Sequence, residues 1–117
     1  MFETMSKYGE QGWNALKTAA SGFLGWAASN NIAVERVEHV ATFEDWDKSS
    51  EVYIFFPTNV DLERHKETGK LQEIETHYRQ LLSDAQYPSE RFPIRFFFDS
   101  HENVVKNYEG NYFYRLR

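Results

Sequence analysis

The sequence predicts a single two-layer α+β domain over residues 1–117. A long N-terminal helix and a second helix are expected to pack on a mostly antiparallel sheet of about four strands. Three observations predict this fold. A length of 117 residues suits one domain with one core. Hydrophobic spacings typical of helices and of strands alternate along the chain. Finally, 10 Phe, 7 Tyr and 3 Trp supply many large side chains for the core.

The first predicted element is an amphipathic helix that ends at Asn30 and Asn31, because Asn tolerates the left-handed conformation in which helices often end. Gly22 and Gly25 lie among Ala and Ser residues and predict a surface on which another backbone packs closely. The apolar residues of this helix recur at spacings of three and four, which places them on one face. They are Phe2, Met5, Trp13, Leu16, Ala20, Phe23, Leu24 and Ala27.

Two strands that pair antiparallel are predicted next. Over residues 32–43 the hydrophobic period changes to that of a strand, with Val37 and His39 on its inward face. The polar residues 44–50 form the predicted connection. Residues 52–56 are apolar on both faces. This pattern predicts an interior strand covered on each side, or one with a face that meets a ligand or a second chain.

The second half of the chain predicts two helices and then a short helix between two strands. The strands on either side of the longest helix are expected to be joined by a right-handed crossover connection. In chain order the elements are a short helix capped by Thr58 and ended by Gly69, a helix over residues 71–82, a strand over 92–98, a short helix carrying Val104 and Tyr108, and a last strand from Asn111 to Leu116. The residues expected to be largely buried are Trp13, Leu16, Phe23, Ile54, Phe56, Ile74, Leu81, Ile94 and Phe96.

Composition excludes several classes of function. The absence of cysteine removes disulfides, thiol nucleophiles and cysteine-ligated metals. A net charge of −5 argues against nucleic acid and anionic membranes as partners. No signal peptide or apolar segment of membrane-spanning length is visible, so we expect a cytoplasmic protein. The sequence contains no phosphate-binding glycine loop, dinucleotide fingerprint or nucleophile elbow, and we expect no cofactor.

The histidines are candidate metal ligands or catalytic bases. His39, on an inward strand face, is interpreted as a core histidine with a hydrogen-bond partner. His77 follows Glu73 by one helical turn. We expect a solvated ion pair there and no metal site, because three or four converging ligands are needed and none are apparent.

The run Asp99-Ser100-His101-Glu102 has the composition of an acid–base site. Catalytic groups are usually gathered from separated segments of a chain, which argues against a triad of neighbours. Helix capping offers a simpler explanation: Asp99 or Ser100 caps the short helix, with Glu102 in the capping-box position relative to Asp99.

The acidic segment around Trp46 is the candidate binding site. Trp is enriched at the centres of protein interfaces, and carboxylates around it suit a basic partner. The alternative is a solvated face with Trp46 packed back on its own domain. The residues predicted to bind a protein partner are Glu44, Asp45, Trp46, Asp47 and Glu51.

Three classes of function stay open. The first is a non-catalytic binding or inhibitory domain, such as a bacterial immunity protein that neutralises a basic nuclease toxin. The second is a small-ligand-binding or regulatory domain that forms a homodimer through its sheet and holds an apolar ligand between sheet and helix. The third is an enzyme that uses Asp99, His101 and Glu102, or His39, for acid–base chemistry. A cleft in which His39 and His101 converge would favour the third.

Overall fold

The computed structural model describes residues 8–117, so the predicted helix residues Phe2 and Met5 lie outside the described part of the chain. Within that part, five helices and three strands follow one another. They are α1 (Gly9–Ser29), β1 (Arg36–Ala41), β2 (Ser50–Phe56), α2 (Asn59–Glu67), α3 (Lys70–Asp84), β3 (Ile94–Ser100), α4 (His101–Tyr108) and α5 (Tyr112–Arg115).

The three strands form one mixed sheet in the order β1-β2-β3. β1 pairs antiparallel with β2, with Val37 opposite Ile54, which confirms the predicted hairpin. β2 pairs parallel with β3, with Ile54 opposite Phe98. The parallel pair agrees with the predicted crossover connection around the longest helix of the second half, but it makes the sheet mixed, so the prediction of a mostly antiparallel sheet is wrong. A parallel pair requires a long connection, and here the connection carries α2 and α3.

The predicted fourth strand, from Asn111 to Leu116, is instead the short helix α5. The Asn111 side chain accepts a hydrogen bond of 3.0 Å from the Tyr114 amide and so caps the helix. Before it, Glu109 (φ 57°) and Gly110 (φ 73°) adopt the left-handed conformation and reverse the chain after α4. Residues 111–116 therefore do not extend the sheet, and Tyr112 packs on its face.

The main core lies between one face of the sheet and helices α1 and α3. On β2, Val52, Ile54 and Phe56 face this core. Six of the nine residues expected to be largely buried are buried, while Trp13, Leu81 and Phe96 are partly buried and pack against the core. Leu24, predicted on the inner face of the first helix, is 43% exposed. Small residues of α1, including Ala15 and Ala19, face the core in its place.

A second, smaller core covers the opposite face of the sheet, so the two-layer prediction is wrong. Tyr53 and Phe55 of β2 pack there against Val104 of α4 and Tyr112 of α5. Phe55 meets the Tyr112 ring edge-on at 4.8 Å between ring centres. The apolar residues on both faces of β2 predicted a strand covered on each side, and this prediction is confirmed.

The helix boundaries follow local chemistry closely. Asn31 adopts the left-handed conformation (φ 58°) just after α1. The Thr58 hydroxyl accepts a hydrogen bond of 3.1 Å from the Asp61 amide and caps α2. Gly69, also left-handed (φ 77°), separates α2 from α3. Within residues 8–117, the structure has no helix with both the length and the apolar character needed to cross a membrane.

Replacing two glycines of α1 by alanine is expected to have opposite effects on stability. A Cβ atom at Gly12 would lie 2.5 Å from the buried Phe43 ring, whereas one at Gly25 meets nothing within 4 Å. Gly12→Ala is therefore expected to lower the free energy of unfolding by about 1–3 kcal/mol through overpacking. Gly25→Ala is expected to raise it by about 0.5–1 kcal/mol through helix propensity. Urea unfolding measures both, and equal effects would contradict the packing of Phe43 on α1.

Candidate functional site

The acidic segment forms a tight turn between β1 and β2. The Asp47 amide donates a hydrogen bond of 3.1 Å to the Glu44 carbonyl, which leaves Asp45 and Trp46 at the centre of the turn. The Thr42 hydroxyl donates a second hydrogen bond, of 2.8 Å, to the Asp47 carbonyl. We call residues 44–47 the Trp46 turn. The Trp46 side chain does not pack back on the domain, since Trp46 is 79% exposed.

Phe43 anchors the Trp46 turn to the main core. Its backbone has φ 58°, a left-handed conformation that a bulky residue rarely adopts. Its ring is fully buried and makes edge-on contacts with Trp13, Tyr87 and Phe92, at 5.6, 5.9 and 5.3 Å between ring centres. Burial of this ring holds the unfavourable backbone conformation in place. The start of the turn is therefore fixed by the core.

Two carboxylates of the turn have partners of their own. Asp47 accepts hydrogen bonds from the Ser49 hydroxyl, at 2.5 Å, and from the Ser49 amide, at 3.1 Å. These bonds hold the pKa of the Asp47 carboxyl below its ordinary value. Asp45 forms an ion pair with Arg91, which lies in the loop before β3. Arg91 was not among the predicted site residues, because its place beside the turn depends on the tertiary fold.

Glu51, predicted with the turn residues, lies apart from them on β2. Its carboxylate accepts a hydrogen bond of 2.9 Å from the Tyr53 hydroxyl and one of 2.8 Å from Arg95 of β3. These partners are on the face of the sheet that carries the smaller core. The structure thus gathers Glu44, Asp45, Trp46 and Asp47, and it places Glu51 in a separate ion pair.

His39 has the hydrogen-bond partner that its inward position predicts. It shares a hydrogen bond of 3.1 Å with the hydroxyl of Tyr78, a fully buried residue of α3. Burial lowers the pKa of His39 from 6.5 to about 4. The imidazole is therefore neutral at pH 7, and it joins β1 to the helix layer.

The run Asp99-Ser100-His101-Glu102 spans the end of β3 and the start of α4, and its side chains make several separate structural contacts. Ser100 caps α4 by accepting a 3.0 Å hydrogen bond from the Asn103 amide, as predicted. Glu102 does not complete a capping box with Asp99, because its carboxylate accepts instead from the Asn59 amide, at 2.9 Å. This hydrogen bond connects Asn59, the first residue of α2, to α4.

Asp99 and His101 both contact α5. Asp99 is buried and accepts hydrogen bonds from Asn103, at 3.0 Å, and from Arg115, at 2.5 Å. His101 Nδ1 shares a hydrogen bond of 2.6 Å with the Tyr112 hydroxyl. Since Tyr112 belongs to the smaller core and His39 to the main core face, the two histidines lie on opposite faces of the sheet. They do not converge on one cleft.

The predicted Glu73–His77 ion pair is not formed. Glu73 pairs with Lys70 at 3.1 Å, and His77 stacks on Trp26 of α1 at 4.2 Å between ring centres. Among residues 8–117, the structure contains no group of three or more His, Asp or Glu side chains arranged to hold a metal ion.

Two open cavities of about 450 Å³ each lie at the surface. The first is apolar and lies at the end of α1, between Leu24 and Val34. The second lies beside the loop before β3 and includes Tyr8, Pro88 and Arg91. Neither of these two cavities is lined by a strand residue, so neither matches the site between sheet and helix that the ligand-binding hypothesis requires.

Comparison with protein-family models, with curated protein sequences and with solved structures finds no match for this chain.

Acid is expected to destabilise the fold through His39. In the unfolded chain His39 binds a proton near pH 6.5, whereas in the fold it does so only near pH 4. The unfolded state therefore binds the proton first, and stability falls as the pH drops from 7 to 4, by up to about 3 kcal/mol. His39→Gln is expected to lose less stability over the same range. Urea unfolding at each pH measures the difference, and identical losses for parent and variant would contradict the neutral, buried imidazole.

Removing the charge of Asp99 is expected to cost far more than removing that of Asp45. The Asp99–Arg115 side chains are 11% and 22% exposed, whereas those of Asp45 and Arg91 are 76% and 39% exposed. Asp99→Asn leaves a half-buried guanidinium without its counter-charge and is expected to lower the free energy of unfolding by about 3 kcal/mol. Asp45→Asn is the matched control, with an expected loss of about 0–1 kcal/mol. Similar losses in urea unfolding would show that the Asp99–Arg115 pair is not a stabilising contact.

Proposed function

We propose that this chain is a non-catalytic protein-binding domain that docks a basic protein through the Trp46 turn. The observation that carries the proposal is a tryptophan that is 79% exposed at the tip of a turn anchored in the core. Exposed tryptophan leaves a large apolar surface in water, and tryptophan is the residue type most enriched among those that dominate binding energy.

The charges around Trp46 support a basic partner. Glu44, Asp45 and Asp47 flank the indole within a chain of net charge −5. Because Arg91 offsets Asp45, the remaining negative potential of the turn comes mainly from Glu44 and Asp47. Opposite charge on a partner speeds the encounter between the two proteins and disfavours acidic competitors.

The rigidity of the turn also supports binding. The buried Phe43 ring, the Thr42–Asp47 hydrogen bond and the Ser49–Asp47 hydrogen bonds fix the backbone on both sides of Trp46. A segment that is ordered before binding loses little conformational entropy when the complex forms. The indole is therefore presented at low entropic cost.

An inhibitory role is the specific form of this function that we favour. Small size, acidity and an exposed aromatic anchor suit a domain that blocks a basic enzyme, as a bacterial immunity protein blocks a nuclease toxin. A nuclease must bind phosphates and so carries the basic surface that the Trp46 turn complements.

Affinity capture from a lysate of the source organism tests the binding surface. The parent chain is expected to retain a basic protein that Trp46→Ala loses. Val60→Ala is the matched control, because Val60 is 70% exposed but lies on α2, away from the turn. Retention of the same basic proteins by all three chains would contradict the proposal.

Binding kinetics with the captured protein separate the two parts of the surface. Trp46→Ala is expected to speed dissociation by more than about 30-fold, as for a central anchor worth about 2 kcal/mol. Glu44→Lys, which reverses a charge of the turn without removing the Ser49–Asp47 hydrogen bonds, is expected mainly to slow association, with a weaker dependence on salt than the parent shows. Unchanged association and dissociation rates for both variants would show that the Trp46 turn is a solvated loop outside the binding surface.

A further inference from the structure

The two edges of the sheet are protected to different degrees. β3 begins directly after Pro93, Arg79 donates a hydrogen bond of 3.0 Å to the Ile94 carbonyl, and α2 packs beside the strand. Proline and covering elements are the devices by which proteins keep sheet edges from pairing with other chains. The β3 edge is therefore guarded.

The β1 edge has none of these devices. Its six residues, Arg36–Ala41, include neither proline nor lysine. Side chains of β1 do contact the helices across the faces of the sheet, since His39 bonds to Tyr78 of α3 and the Arg36 guanidinium lies 4.2 Å from the centre of the Tyr112 ring of α5. Within residues 8–117, however, no backbone hydrogen bond joins β1 to an element other than β2. Its two charged residues, Arg36 and Glu38, neutralise each other in an ion pair of 2.7 Å. An edge of this kind is a template for another strand.

The order of charges along β1 makes this edge complementary to itself. In an antiparallel pair, residues directly opposite each other project from the same face and interact. Suppose that two copies pair with a two-fold axis between their Val37 residues. Each Arg36 then lies opposite Glu38 of the second copy, and each Glu35 lies opposite its His39. Moving the two-fold axis by one residue would place Arg36 opposite Arg36 or Glu38 opposite Glu38. Like charges disfavour both shifts, so one register is selected.

We propose that two copies of this chain associate through their β1 edges, antiparallel and centred on Val37, to form one continuous sheet from two three-stranded sheets. The β1 edge then gains backbone hydrogen bonds. Each Arg36 lies between Glu38 of its own chain and Glu38 of the second copy, so that two cross-chain Arg36–Glu38 contacts link the copies. The axis lies five residues before Thr42, about 17 Å along the strand. The Trp46 turns therefore stay free at opposite ends of the interface.

Sedimentation velocity of the full chain tests the proposal at concentrations up to about 0.5 mM, where a dimer with a Kd of about 100 µM is well populated. The parent is expected to show a reversible monomer–dimer equilibrium. Arg36→Glu and Glu38→Arg each place like charges opposite each other twice, and each is expected to weaken the dimer at least about tenfold.

The double variant R36E/E38R provides the decisive comparison. It restores opposite charges across the interface and also the ion pair within each chain, so its dimer is expected to be as strong as that of the parent. Arg95→Glu, an exposed charge reversal on β3, is the control that leaves the dimer unchanged. Thermal melting of each variant verifies folding. A parent chain that stays monomeric, single reversals without effect, or a double variant as weak as the singles would each overturn the proposal.

Discussion

Burial of β2 on both faces is the constraint on which the rest of the structure depends. Its side chains alternate between two cores, with Val52, Ile54 and Phe56 facing α1 and α3, and Tyr53 and Phe55 facing α4 and α5. A strand without solvent on either face needs a hydrogen-bonded neighbour on each side, because unpaired backbone groups are costly in an apolar core. β1 and β3 supply these neighbours, and the helices supply the covers. Each remaining element is therefore placed by its relation to β2.

The same core determines how the candidate binding surface is presented. The chain enters the Trp46 turn through Phe43, whose buried ring lies among rings of α1 and of the loop before β3 and close to Gly12. Burial of this ring stabilises the unfavourable left-handed conformation of Phe43. Trp46, three residues later, stays exposed to solvent. The connection between β1 and β2 therefore buries Phe43 and exposes Trp46 in the same conformation.

The polar run at the junction of β3 and α4 illustrates why composition alone is a poor guide to chemistry. Asp99 and His101 form hydrogen bonds with α5, Ser100 caps α4, and Glu102 accepts a hydrogen bond from the first residue of α2. Carboxylate, hydroxyl and imidazole groups stand together in the sequence because three helices meet where β3 ends. Their hydrogen bonds are directed to different elements, and this explains the arrangement as a junction of the fold.

The sequence by itself determined the features that depend on neighbours along the chain. The α1 end at Asn30–Asn31, the Thr58 and Ser100 caps, the break at Gly69 and the two-sided burial of residues 52–56 each follow from local conformational preference or hydrophobic period. Only the tertiary structure decided what depends on distant contacts. The Tyr112 ring packs on Phe55, Leu24 turns outward because α1 presents its small residues to the core, and Glu51 pairs with Arg95 away from the acidic turn. Segments remote in sequence supply these contacts, so no local pattern specifies them.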